Sequence, residues 1–127
     1  MRIIFLYFED IDACLRLTKN NLKLFVCSKI KFKNKDRKIV NLDYDLKYKL
    51  SRNWHYSWSK FYFYKKNYSY IFALKKISPN FITAIKSFIF NLLKINRSGI
   101  LISIAQISGI LSSLMLKSSS YRIENKS

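Results

Sequence analysis

The sequence predicts an α/β fold that continues into helices, on three observations. Two segments, Ile3–Phe8 and Leu22–Phe32, are short runs of aliphatic and aromatic residues, as buried strands are. Between them, Asp12–Lys19 starts with an Asp and carries its apolar residues at helical spacing. The rest of the chain has a helical pattern. We therefore expect the end of an α/β domain in residues 1–42 and a helical tail in residues 43–127.

The helical tail changes character along its length. Asp43–Leu74 is predicted as one helix, and ten of the chain's 21 Phe, Trp and Tyr residues lie between Trp54 and Phe72. Pro79 then predicts a break and the start of another helix. Ser98–Leu116 has no charged residue over 19 positions, close to the roughly 20 of a transmembrane span. Its Ser, Gln and Gly residues fall outside one Ile/Leu stripe, which predicts an amphipathic helix lying on or packed against a surface.

The charge distribution indicates a polyanionic partner. The formal net charge is +17, and Leu46–Ile123 contains thirteen Lys/Arg residues and no Asp or Glu. Nucleic acid, anionic lipid and phosphate-bearing substrates all fit such an excess. Cys14 and Cys27 have no His or Cys nearby to complete a metal set, so we expect free thiols, a reducing compartment and no metal site.

An acidic turn follows the first hydrophobic run. The residues Glu9-Asp10-Ile11-Asp12 stand between that run and a predicted helix containing Leu15 and Arg16. This arrangement resembles the acceptor-side motif of bacterial family 2 glycosyltransferases, especially rhamnosyltransferase-like members. Two later segments, Ser51–Trp54 and Phe61–Tyr68, look like the arginine-asparagine and aromatic-lysine helix of the same family.

The resemblance implies an inverting enzyme that transfers a sugar from a nucleotide-sugar donor to a lipid-linked or polysaccharide acceptor of the cell envelope. It also implies that residues 1–42 are the C-terminal, acceptor-side end of a GT-A (Rossmann-like) catalytic domain. The donor-binding half of such a domain is absent from the sequence, so the chain alone is expected to be inactive. A divalent metal, Mg or Mn, is expected only in a full-length relative, and no cofactor is expected on this chain.

Carried over by position, Asp10 is the catalytic base of the resembled family. Displacement at a sugar's anomeric carbon requires the acceptor hydroxyl to lose its proton, which a carboxylate within hydrogen-bond reach can take. Glu9, Asp12 and Arg16 would bind or orient the acceptor. The alternative is structural: Asp12 is an N-cap, and Asp10 lies beside the same helix start, where free N–H groups stabilise carboxylates.

The basic and aromatic residues of the tail have three interpretations. Trp and Tyr among Lys and Arg suit the interface of an anionic membrane, and the resemblance favours it because the family commonly uses lipid-linked acceptors. Packing in a core is the second interpretation, and stacking on single-stranded nucleic acid is the least favoured. Together with the first interpretation, the resemblance implies a peripheral location on the cytoplasmic face of the inner membrane. The residues assigned to the membrane surface are Arg52, Trp54, Trp58, Lys60, Phe61, Tyr62, Lys65 and Lys66.

A different class of function also fits the composition. In this alternative the chain is a small basic protein that binds anionic membrane or nucleic acid and catalyses no reaction.

Overall fold

The computed structural model describes residues 7–31, 42–119 and 121. These residues contain four helices. They are α1 (Glu9–Lys19), α2 (Leu42–Asn67), α3 (Tyr70–Leu93) and α4 (Arg97–Leu114). The last three pack against one another in all three pairings and form a helical bundle. Within the described residues there is no strand, so the fold is all-α.

The predicted α/β, Rossmann-like fold is therefore wrong. Residues 22–31 of the second predicted strand are irregular, and the Val26 side chain is 97% exposed. Of the first predicted strand, only Tyr7 and Phe8 lie within the described residues, and their φ angles of 58° and 62° are left-handed rather than extended. An apolar run becomes a strand only where a neighbouring strand takes its hydrogen bonds and a core covers its face. Within the described residues, positions 22–31 have no neighbouring strand, and all of their side chains are exposed.

Helix α1 confirms the helix predicted after the acidic turn, and it begins three residues earlier, at Glu9. Three acids lie in its first turn, and Arg16 and Lys19 lie in its last turn. That arrangement opposes the charges of the helix dipole and stabilises a short helix. The N-cap position is Phe8, so the N-cap interpretation of Asp12 is wrong.

The predicted long helix is divided in two near Tyr68, and the predicted break at Pro79 does not occur. The Ser69 hydroxyl accepts a hydrogen bond from the Phe72 N–H at 3.1 Å and caps α3. Pro79 lies inside α3, where a proline removes the hydrogen bond to the carbonyl four residues before it. That carbonyl, on Lys75, instead accepts from the Ser78 hydroxyl at 3.1 Å. The neighbouring side chain thus satisfies the group that Pro79 leaves open.

Helix α4 confirms a helix in the uncharged segment, but the face that it buries is the opposite of the expected one. Its buried residues are mostly small, and they include Ser103, Gly109 and Ser113. In contrast, Ile104 and Leu111 of the apolar stripe are exposed. The reason is close packing: a Cβ atom on Gly109 would lie 2.5 Å from the carbonyl oxygen of Trp54 on α2. Small side chains allow the two backbones to approach, and larger ones would hold them apart.

The bundle core consists of two hydrophobic clusters. One cluster joins all three helices through Phe61, Ala73, Ile77 and Ile110. The other joins α2 and α4 through Trp54, Trp58 and Ala105. The division into residues 1–42 and 43–127 stays a prediction, although the bundle itself begins with α2.

Candidate functional site

The acidic turn is tied to the bundle through Asp12. The Asp12 side chain is buried (1% exposed), while Glu9 and Asp10 are exposed at the start of α1. The Asp12 carboxylate accepts hydrogen bonds from Lys66 Nζ at 2.7 Å and from Asn67 Nδ2 at 3.0 Å, both at the end of α2. Arg16 Nε lies 3.3 Å from the same carboxylate. Asp12 therefore joins two segments that are more than 50 residues apart in the chain.

The electrostatics of this contact keep Asp12 ionised. Burial opposes the charged form, but hydrogen bonds from Lys66 and Asn67 and the positive charges of Lys66 and Arg16 outweigh it and lower the pKa of Asp12. A carboxylate held by three donors is a poor acceptor for a substrate proton. Asp12 thus suits a positioning role for the turn, whereas Asp10 keeps an exposed carboxylate.

Aromatic contacts with α2 fix the two residues before the acidic turn. The Phe8 ring stacks on Phe63 of α2 with centroids 5.4 Å apart and contacts Tyr56 at 5.7 Å. Tyr7 meets the same Tyr56 ring edge-on at 5.9 Å. The start of α1 is therefore fixed by an ion pair on one side and by ring contacts on the other. The roles of Asp10 as base and of Glu9, Asp12 and Arg16 as acceptor-orienting residues stay predictions.

Three rings assigned to the membrane surface are instead part of the core. Trp54, Trp58 and Phe61 are almost fully buried. Helix α4 covers Trp54 and Trp58, and α3 and α4 together cover Phe61. The Trp54 indole donates to Ser108 Oγ at 3.4 Å, and the Trp58 indole donates to the Lys117 carbonyl at 3.1 Å. In this conformation these rings cannot reach a lipid surface, which corrects their assignment.

The remaining members of that set differ in exposure. Arg52 is exposed, and Tyr62 is half-buried with its ring stacked on Trp58 at 5.0 Å. Lys60, Lys65 and Lys66 are half-buried. Lys60 Nζ donates to Asn80 Oδ1 at 2.7 Å, and burial, followed by the charge of Lys76, lowers the pKa of Lys60.

The only histidine holds the segment that follows α4. His55 is buried, with Nε2 3.0 Å from the Tyr121 carbonyl and Nδ1 3.1 Å from Ser119 Oγ. The Tyr121 ring also stacks on Trp54 with centroids 5.7 Å apart. Among the described residues no group of three His, Cys, Asp or Glu side chains is placed to hold a metal ion.

Sequence reasoning missed a solvent-exposed apolar face on α3. Helix α3 buries Ala73, Ile77 and Ala84 against the bundle and carries a second set of large apolar side chains outward. Spacings of three and four residues from position 82 onward mark this second set, but the pattern overlaps that of the core face. We call it the α3 outer face, and its members are Ile71, Leu74, Ile82, Ile85, Ile89 and Leu93. Exposed lysines lie on the same helix or directly after it: Lys75, Lys76, Lys86 and Lys94.

Two further surfaces lie between the bundle helices. A polar cavity of about 260 Å³ is formed by side chains of all three helices. An apolar groove of about 350 Å³ runs along α4, lined by residues that include Phe88, Ile107 and Met115. Neither is lined by Glu9 or Asp10. Within the described residues, α4 is also the one helix whose length and composition, with a mean hydropathy of 1.3, would suffice to cross a membrane.

Comparisons of the chain with protein-family models, with curated proteins and with solved structures find no match. The resemblance to family 2 glycosyltransferases therefore depends on sequence motifs alone, including those around Asp10, Arg52 and Lys66. It stays a prediction.

Proposed function

We propose that this protein binds peripherally to anionic lipid membranes through the α3 outer face. The observation that carries the proposal is the pairing of exposed Ile and Leu side chains with lysines on one helix that contains no acid. Apolar side chains bordered by basic ones are typical of helices that lie in a membrane interface. Such a surface is costly to leave in water, and a lipid interface would cover it.

Apolar burial and charge are of similar size in this proposal. A fully buried Leu or Ile side chain contributes about 1.5–3 kcal/mol, so six half-exposed ones contribute on the order of 1 kcal/mol each when covered. Each lysine near an anionic surface adds up to about 1 kcal/mol. Because the lysine contribution is screened by salt and the apolar one is not, binding should weaken with salt without vanishing.

The bundle gives this surface a fixed orientation. In the proposed state α3 lies parallel to the membrane, and its core face, with Ala73 and Ile77, holds α2 and α4 on the water side. Helix α4 then remains in the bundle, because its small-residue face is packed against Trp54. A spanning α4 would have to abandon that contact.

Vesicle binding over a salt series tests the proposal. Ile89→Gln should weaken the salt-resistant binding to vesicles containing phosphatidylglycerol by several-fold, since it removes an apolar group from the centre of the α3 outer face. Ile11→Gln is a matched control, because Ile11 on α1 and Ile89 are each 52% exposed. Equal loss in both variants would contradict the proposal. Tighter, wholly salt-labile binding to single-stranded DNA at matched phosphate would favour the nucleic-acid alternative instead.

A second candidate function is sugar transfer from a nucleotide-sugar to a lipid-linked or glycan acceptor at the cytoplasmic face of the inner membrane. The observation that favours it is the contact of Asp12 with Lys66 and Asn67. It joins the two segments that carry the resemblance, and it leaves Asp10 exposed on a supported turn. In this function Asp10 is the base, Asp12 and Arg16 position the turn, and Glu9 orients the acceptor. In this function a second chain binds the donor and any divalent metal.

Combining the chain with a second chain that binds the nucleotide-sugar donor tests the second candidate. Transfer of labelled sugar to a lipid-linked acceptor should then depend on Asp10 and fall sharply in Asp10→Asn, with donor binding retained. Transfer that survives this substitution would exclude Asp10 as the base. Membrane binding by the α3 outer face is measured on this chain alone, so the two functions succeed or fail separately.

A further inference from the structure

The polar cavity between the three bundle helices has the composition of a small-ligand site. Its walls come from α2, α3 and α4, and they carry no charged side chain; the lining residues are Asn53, Tyr56, Ser57, Pro79, Asn80, Thr83 and Gln106. At about 260 Å³ it lies just below the roughly 300–1,000 Å³ of drug-sized pockets. It therefore has room for one small molecule.

Ser57 is the observation that points to a ligand. Its side chain is 5% exposed and lines the cavity. Within the described part of the chain its hydroxyl has no hydrogen-bond partner, and yet it is not sealed from solvent. The fold thus buries most of the Ser57 side chain and leaves its hydroxyl open to the cavity, where a water molecule or a ligand can bond to it.

Two amide side chains that line the cavity add one hydrogen-bond donor and one hydrogen-bond acceptor. Asn80 Oδ1 accepts a hydrogen bond from Lys60 Nζ, and the Asn80 Nδ2 donor has no partner among the described residues. Gln106 Nε2 donates to Asn53 Oδ1 at 2.9 Å, and the Gln106 Oε1 acceptor is likewise free in the described structure. The cavity thus offers a hydroxyl, an amide donor and an amide acceptor, each held by a helix.

We infer that this cavity binds a single neutral sugar ring or a polyol of similar size. Each hydroxyl of such a ligand both donates and accepts, so it can satisfy Ser57, Asn80 Nδ2 and Gln106 Oε1 together. The rings of Tyr56 and Pro79 supply apolar area for the C–H faces of a sugar ring. Lys60 is already bonded to Asn80 and is not part of the lining, so the walls favour a neutral ligand over an anion.

Side-chain amide NMR on the full chain tests this inference. The probes are glucose, galactose, rhamnose and glycerol, titrated separately into ¹⁵N-labelled protein, with inorganic phosphate as the anionic comparison. At least one neutral probe should shift the amide signals of Asn80 and Gln106 saturably, with a dissociation constant on the order of 1 mM, as expected for so small a ligand. Ser57→Ala should weaken that binding about tenfold, because it removes one hydrogen bond to the ligand.

Ser112→Ala is the matched control. Ser112 lies on α4 at the edge of the apolar groove, and its hydroxyl also has no partner in the described structure. This variant should bind the sugar as the wild type does. The inference is overturned by the absence of saturable shifts with all four neutral probes, by equal weakening in both Ser→Ala variants, or by stronger binding of phosphate. Because Ser57→Ala breaks no hydrogen bond among the described residues, its melting temperature should match that of the wild type, so a folding defect cannot account for the loss.

Discussion

Gly109→Ala tests the closest helix contact in the bundle. A Cβ atom at this position would lie 2.5 Å from the Trp54 carbonyl oxygen and 3.2 Å from Trp54 Cα. Both atoms are backbone, so neither can rotate away, and α4 must move off α2. Overpacking costs about 1–3 kcal/mol, and a clash with backbone atoms lies in the upper part of that range, at about 2–3 kcal/mol. Alanine returns up to about 1 kcal/mol of helix propensity. We expect a net loss of about 1–2 kcal/mol in the free energy of unfolding, measured by urea denaturation followed by circular dichroism.

The sign of this change separates two arrangements of α4. If the Ile/Leu stripe of α4 faced the bundle, Gly109 would face solvent, and alanine would stabilise the protein by up to about 1 kcal/mol. Gly99→Ala is the control, because the three heavy atoms nearest to its added Cβ all belong to the amide of Asn91, a side chain that can rotate. A stability of Gly109→Ala equal to or above that of the wild type would refute the close packing of α2 and α4.

Three further predictions concern the acidic turn and the core. Asp12→Asn should lower stability at pH 7 by on the order of 2 kcal/mol, because Lys66 loses its buried partner. The folded-state pKa of Asp12 is lowered, so its contribution to stability is fully present above its ordinary pKa of 3.8 and is lost as the pH falls through the folded-state value. Between pH 7 and pH 3 the free energy of unfolding should therefore fall less in the variant than in the wild type. An equal fall in both proteins would refute the ion pair. In an active combination of this chain with a donor-binding chain, Asp10→Asn should lower the rate of sugar transfer about 100- to 10,000-fold, as measured with labelled donor. Near-normal turnover would exclude Asp10 as the catalytic base. Trp58→Ala should lower stability by about 3–5 kcal/mol, visible in a thermal melt; an unchanged melt with weaker lipid binding would return Trp58 to the surface.

The helices of this protein were predictable where local signals agreed. Helix α1 has an acidic first turn and a basic last turn. Helix α4 is a long segment whose one charged residue is its first, Arg97, and the Asn96 side chain caps it. Both features act within a few residues, so the sequence reveals them directly. The break predicted at Pro79 was wrong, because proline alone indicates a helix end. Here the Ser78 hydroxyl bonds to the carbonyl that Pro79 leaves open, and the helix continues.

The strands and the buried faces depended on contacts that no local pattern contains. The alternation around Val26 indicates a face that could be buried, but burial needs a partner sheet, which the described residues do not provide. On α4, hydrophobicity suggested that Ile104 would be inside and Ser103 outside, and the structure has them reversed. Backbone proximity to α2 decided the face, because only small side chains fit there.

The candidate site was predicted in part. The sequence identified Glu9, Asp10 and Asp12 as one cluster, but not that Asp12 would be buried against Lys66, since that contact joins residues 54 apart. The α3 outer face was missed because α3 is apolar on two sides, and periodicity alone cannot tell which side a neighbour covers.

Depth measurement at the α3 outer face tests the central proposal most directly. With Cys14 and Cys27, both exposed, replaced by serine, a spin label is attached at Ile89→Cys or, for comparison, at Ile11→Cys, and the protein is bound to anionic vesicles. Membrane binding through α3 predicts that the label at position 89 becomes accessible to oxygen and protected from a water-soluble nickel chelate, while the label at position 11 stays in water. Equal access of the nickel chelate to both labels on vesicle-bound protein would contradict the proposal.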